Sequence, residues 1–236
     1  MMKSRILKVL FAACIAVTTT LQQSCLKDDL DYSNVPQAGF TMINLYDQAD
    51  GIIHKADNNY IQAMNSRLQY KGINFVYLYP GNRRIQTLSL NGNVLLDSVY
   101  TIKDSLLYTS VVFSKPNATV GQLLIEDQLV ENLEDSQVAL RFFNLAKSNI
   151  TADVFVDNTQ LVDDRTFDGI PTSNHDKFDF VKASATAQKI IVKNQQDEVV
   201  AEKELKLNAR RQYSIFLINK EESNTYEILI FEQYRL

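Results

Sequence analysis

The chain has 236 residues, 45% of them hydrophobic and 22% charged, with a formal net charge of −4. That acidic balance argues against nucleic acid, which needs a clustered basic face, and against docking on anionic lipid by charge. Two cysteines and two histidines are too few for a disulfide framework or a zinc site of ordinary ligand spacing.

The first element is a leader. Lys3, Arg5 and Lys8 precede an apolar, small-residue stretch from Val9 to Val17, and Leu21-Gln22-Gln23-Ser24 leads up to Cys25. Basic start, short apolar run and small residue before a cut are the marks of a secretory signal, here residues 1–24. The run is shorter than the roughly 20 apolar residues of a spanning helix. A cysteine directly after the cut resembles the lipobox of bacterial lipoproteins. The resemblance implies that the Cys25 thiol receives lipid, palmitate among the acyl chains, and becomes the first residue of the mature chain. Cys14 is a rival acceptor, but choosing it leaves Ile15 to Leu21 exposed and cuts the apolar run short. Durable anchoring takes more than one acyl chain, and lipoproteins of this type carry several.

Lys27, Asp28 and Asp29 resemble the surface-export signal of Bacteroidota lipoproteins, which implies an outer-membrane protein facing the cell exterior. A solvated charged linker is the plain alternative. Removing the leader, with its three basic and no acidic residues, takes the formal charge from −4 to −7. Residues 25–37 read as the lipidated cysteine and a tether, and residues 26–37 span roughly 40 Å when extended, at about 3.3 Å per residue.

Beyond the tether the chain repeats itself. Ala38-Gly39-Phe40-Thr41-Met42-Ile43-Asn44 answers to Val138-Ala139-Leu140-Arg141-Phe142-Phe143-Asn144, an apolar run ending in Asn. Tyr108 to Phe113 answers to Tyr213 to Ile218, and Thr119 to Glu126 to Thr225 to Glu232. The paired landmarks lie 100, 105 and 106 residues apart, a domain length rather than a solenoid period. Two tandem modules follow, residues 38–130 and 131–236.

Between the landmarks the pattern is strand. Phe75-Val76-Tyr77-Leu78-Tyr79 carries β-branched and aromatic residues on both faces, which predicts a central strand ending at the Pro80-Gly81-Asn82 turn. Ile85 to Leu90, Asn91-Gly92 and Val94 to Val99 predict a hairpin. A second hairpin runs through Lys189 to Lys193, a polar turn at 194–198, and Val199 to Leu205. Asn58 to Gln69 reads either as a helix with a Tyr60, Ile61, Met64, Leu68 stripe or as a loop with a short strand. Many short strands with turns every 8 to 12 residues predict an all-β chain of two antiparallel sandwiches. Tyr108 after Asp104, and more loosely Tyr213 after Asn208, resemble the tyrosine corner of immunoglobulin-like sandwiches, where the phenol bonds backbone upstream.

Leu140 to Asn144 followed by Ala152-Asp153-Val154-Phe155-Val156-Asp157-Asn158 resembles the opening of a widespread secreted bacterial domain family of unknown function. In the first half Pro80-Gly81 and Tyr108 match that pattern, but its Asp-Val-Tyr-Val-Asp strand is not visible around Gly51 to Asn59. In the second half Ala183 to Ala187 replaces the Pro-Gly pair. The resemblance implies tandem immunoglobulin-like sandwiches on a surface lipoprotein and brings no chemistry with it.

Signals for catalysis are thin. His54 and His175 fall in polar stretches that read as exposed loops, with no Gly-x-Ser-x-Gly elbow to pair with either. Asp153, Asp157, Asp163, Asp164 and Asp168 could supply oxygens to calcium, but they lack the Asp-x-Asp-x-Asp-Gly rhythm and read first as a solvated strand edge. No cofactor, metal site or catalytic residue is expected. Tyr46, Tyr60 and Tyr70 stand at strand ends, where rings can stack on sugar. The expectation is a non-enzymatic lipid-anchored interaction module. Glycan binding for a nutrient-uptake system and strand exchange in a fimbrial or adhesin subunit are the alternatives, the partner being a glycan or another surface protein.

Overall fold

All eight residues of β1 (Ala38–Leu45) are buried, although a strand sends alternate residues to opposite faces. β7 (Leu107–Ser114) is buried throughout as well, and β9 (Gln137–Asn144) and β15 (Gln212–Asn219) at all but one position each. These four strands must be covered on both sides. The computed structural model, which describes residues 35–62, 66–148, 150–169, 176–220 and 225–234, shows what covers them.

In the first half, β1 sits between β4 (Gly72–Leu78) and β7, and β8 (Val120–Glu126) follows, giving the sheet order β4-β1-β7-β8. Against it lies the sheet β3-β2-β5-β6, made of β2 (Ile52–Ala56), β3 (Asn59–Tyr60), β5 (Gly81–Ser89) and β6 (Val94–Ile102). The second half repeats this with β12 (Val181–Ser184), β9, β15 and β16 (Tyr226–Glu232) in one sheet. Its other sheet holds β11 (Thr159–Arg165), β10 (Ala152–Val156), β13 (Lys189–Lys193) and β14 (Val199–Glu204).

Each half has its own core. Phe40, Met42, Tyr108 and Val112 pack on Ile52, Ile85 and Ile102 in the first. Leu140, Phe142, Ile215 and Leu217 pack on Val154, Ile190 and Val192 in the second. A third cluster joins them: Ile43, Leu45, Val111 and Phe113 from the first half meet Phe143, Phe216, Ile218 and Leu229 from the second. The odd residues of β1 and β7 thus face the neighbouring half while the even ones face their own sandwich. The result is four sheets stacked face to face, within the single compact unit Pro36–Leu236.

The all-β, two-sandwich expectation holds, with one parallel ladder in each half: β1 beside β7 and β9 beside β15. Parallel neighbours need a long crossover, and here the chain builds the opposing sheet between them. Both tyrosine corners are present. Tyr108 Oη accepts the Lys103 backbone N–H at 3.0 Å, and Tyr213 Oη accepts that of Asn208 at 2.8 Å. The Asn that ends each opening run is a structural clamp. Asn44 Nδ2 donates to the Leu68 carbonyl and Asn144 Nδ2 to that of Arg165, while each Oδ1 accepts the N–H two residues on.

Three expectations change. Residues 58–69 form the strand-and-loop alternative: β3 and a single bridge of Ile52 to Leu68. β4 is an edge strand, not a central one; its two-sided apolar pattern arises because Val76 and Leu78 join the core while Phe75 and Tyr77 look outward from the sandwich. The strand missing around Gly51 to Asn59 is β2. It matches β10 at a 100-residue offset, and Asp57 and Asp157 after them both take a positive φ, 54° and 52°. It is disguised because His54 stands where the second half has Val154.

Candidate functional site

At the C-terminal end of β1 the two halves meet around a cleft of about 1050 Å³. Its floor is the loop from Tyr46 to Gly51, one wall is the β5–β6 hairpin tip with Asn91 and Asn93, and Tyr70 stands at the turn into β4. Lys147 is the second half's contribution. It reaches Asp47 at 2.7 Å, and the two are equivalent positions, 100 residues apart. Burial works to raise the Asp47 carboxyl, but bonds from Lys147, Ser114 and Gln48 outweigh it and hold the group below its ordinary range. With Gln48, Asp50, Asn91 and Asn93 around the ion pair, the rim offers donors and acceptors together, as a polyhydroxylated ligand requires.

Of the three tyrosines singled out by sequence, Tyr46 and Tyr70 line this cleft and Tyr60 does not. Tyr46 is only 9% exposed and packs into the first core, whereas Tyr60 is 48% exposed on the outer sheet with the Lys55 ammonium 5.1 Å from its ring centre. Tyr70 is half-buried and carries Lys71 over its ring at 5.1 Å. Cys25, Lys27, Asp28 and Asp29 lie outside the described residues, as does His175.

Two rings stand more openly in solvent than Tyr60. Tyr77, on the outward side of β4, and Tyr79, just past its end, are 52% and 66% exposed, and Tyr234 beyond β16 is 44% exposed. Phe75 links them: Tyr77 meets it edge-on at 5.1 Å and Tyr234 stacks on it at 4.7 Å. The alternation at 75, 77 and 79 was legible, but a central-strand reading places these rings in the core.

His54 is not in an exposed loop. It is fully buried in β2, its Nδ1 3.4 Å from Gln62 Oε1 and its Nε2 without a partner, and burial lowers its pKa to about 4 despite the Gln62 bond. Four of the five acids of 153–168 hold structural bonds, Asp163 accepting from Gln160 Nε2. Asp153 accepts the Asp164 N–H, Asp157 those of Gln188 and Lys189, and buried Asp168 pairs with Lys177 and accepts the Asn144 N–H. Among the described residues no group of three or more His, Cys, Asp or Glu is placed to hold a metal.

A polar cluster crosses the seam between the halves. Arg141, in β9, donates to Asp127 at 2.7 Å, to Ser214 at 2.7 Å and to Thr109 at 3.0 Å, and it lies 4.4 Å from the Phe180 ring centre. Gln233 Nε2 completes it through Thr109 and Asp127. Both partners of the Arg141–Asp127 pair are 1% exposed. Sequence reading passed over Arg141, the one charge in an apolar strand.

No family model matches the chain, and neither does any curated protein sequence. Among solved structures it is similar to a DUF3823 family protein from Bacteroides ovatus at 10% identity, covering 72% of this chain and 96% of the other with a TM-score of 0.23. A candidate adhesin from the same organism is 8% identical, with coverage of 84% and 95% and a TM-score of 0.19. At such scores neither likeness carries an argument about function.

Proposed function

We propose that the protein is a non-catalytic binding module of the cell surface, held at the outer membrane by lipid on Cys25, with residues 38–130 and 131–236 as its two modules. Export to the outer face follows from Lys27, Asp28 and Asp29 in this reading. One observation carries the binding role: the cleft at the far end of β1 from the tether is walled by the first half, closed by Lys147 of the second, and rimmed with donors and acceptors. β1 is eight residues long, so the cleft stands about 25 Å from the point where the tether joins, at roughly 3.3 Å per residue.

The second reading, glycan binding, is favoured by Tyr70 and the edge of Tyr46 in the same cleft beside amides and carboxylates. Strand exchange of the fimbrial kind finds no support, because β8 pairs with β7 and β16 with β15, each completing its own sheet. The test is a glycan array probed with the chain from residue 26, repeated with Asn91→Ala and Lys147→Ala. A sugar bound by the parent and at least tenfold more weakly by both variants supports the cleft as the site. Binding that survives both substitutions overturns it. Acylation is read separately, by mass spectrometry of the native protein; a free Cys25 thiol refutes the anchor.

A further inference from the structure

The exposed aromatic ridge lies at the opposite end of the molecule from the cleft. β4 runs antiparallel to β1, with Leu78 opposite Ala38, so Tyr77 and Tyr79 flank the first residues that follow the tether. The ridge is held in place from three sides. Phe75 lies across Gly39, where a Cβ would come within 2.9 Å of its ring; Tyr234 stacks on it; and Arg83 binds the carbonyls of Tyr79 and Pro80 and the Asp57 carboxylate. Three exposed tyrosines thus surround a half-buried Phe75 at the end of the molecule where β1 begins.

We propose that Phe75, Tyr77, Tyr79 and Tyr234 form a membrane-facing foot that rests in the headgroup layer of the bilayer. This rests on the lipid anchor of the preceding reading. Tyrosine suits that layer because its ring is apolar and its hydroxyl wet, and aromatic belts of membrane proteins use it there. The tether reaches roughly 40 Å, so an anchored chain meets the bilayer at an effective concentration on the order of millimolar, and a weak contact suffices. The chain is acidic and the foot uses rings rather than charge, so the contact belongs on zwitterionic headgroups and is insensitive to salt. Docked this way, β1 points away from the membrane and lifts the cleft outward.

The experiment uses the chain from residue 25, coupled through its single thiol to a maleimide lipid in phosphatidylcholine vesicles, which makes the result independent of acylation in cells. Tyrosines are labelled by hydroxyl-radical footprinting with and without vesicles. Tyr77, Tyr79 and Tyr234 are expected to label at least threefold more slowly on the vesicle at both 0.05 and 0.5 M salt, while Tyr60, on the outer sheet, is unchanged. Equal labelling of the three in both states overturns the proposal, as does protection that appears with soluble polysaccharide but not with vesicles. In the parent, vesicles are expected to slow hydrogen exchange of the amides at 74–79, and a Tyr77→Ser, Tyr79→Ser, Tyr234→Ser variant, exposed at every position changed, is expected to lose that vesicle-induced slowing. Vesicle-induced slowing that persists in this variant also overturns it.

Discussion

A buried histidine has a measurable acid signature. His54 faces the core of the first sandwich opposite Thr87, and its Nε2 and the Thr87 hydroxyl both lack protein partners. Burial favours the neutral ring, so the folded pKa of about 4 lies below the ordinary 6.5. Between these values the unfolded chain binds the proton and the folded one does not. Stability is therefore full above pH 6.5 and falls as pH drops toward 4, by about 3 kcal/mol in all at 1.36 kcal/mol per pH unit. His54→Val, which installs the residue found 100 positions later, is expected to flatten that limb in urea melts taken from pH 7 to 4. Parallel limbs for the two proteins would show that His54 does not set the acid sensitivity.

Strands β1, β7, β9 and β15 carry the junction between the halves. Equivalent positions meet across it: Asp127 with Gln233, 106 residues apart, and Asp47 with Lys147, 100 apart. Like surfaces in mutual contact are the mark of an isologous interface, here formed within one chain. Arg141 breaks that symmetry, since its counterpart in β1 is Thr41. A charge with 1% exposure must keep its partner, because an unpaired buried ion costs far more than the pair contributes. Asp127→Ala is expected to destabilise the protein by about 3–5 kcal/mol, and Arg141→Met with Asp127→Leu to recover most of that loss. Equal losses in the single and double variants, measured by denaturant unfolding, would contradict this account.

At the scale of the whole molecule the shared cluster between the halves makes them interdependent. Phe143, Phe216, Ile218 and Leu229 pack against Ile43, Leu45, Val111 and Phe113 of the first half, so residues 131–236 alone would expose part of an apolar cluster that Phe178 and Phe231 cover only from their own side. The full chain is expected to unfold in one calorimetric transition, with a calorimetric to van't Hoff enthalpy ratio of about 1. The isolated segment is expected to self-associate and bind hydrophobic dye. Two resolved transitions in the full chain, or a monomeric dye-free segment, would mean that the halves fold separately.

The local grammar was legible in sequence because it depends on neighbours along the chain. Alternation, Asn91-Gly92 and the Asp104–Tyr108 spacing lead directly to the β5–β6 hairpin and the first tyrosine corner. The repeat, read from three landmarks, anticipated two related sandwiches. Sheet order and depth required the tertiary structure. Whether β4 is central or at an edge depends on what lies beside it, so the same alternation that suggests a core puts Tyr77 and Tyr79 in solvent. His54 reads as a loop residue and Arg141 drew no reading of its own, and both are buried because strands from far along the chain close over them. Periodicity reports which residues share a face. Only the assembled sheets decide whether that face meets water, its own core or the other half.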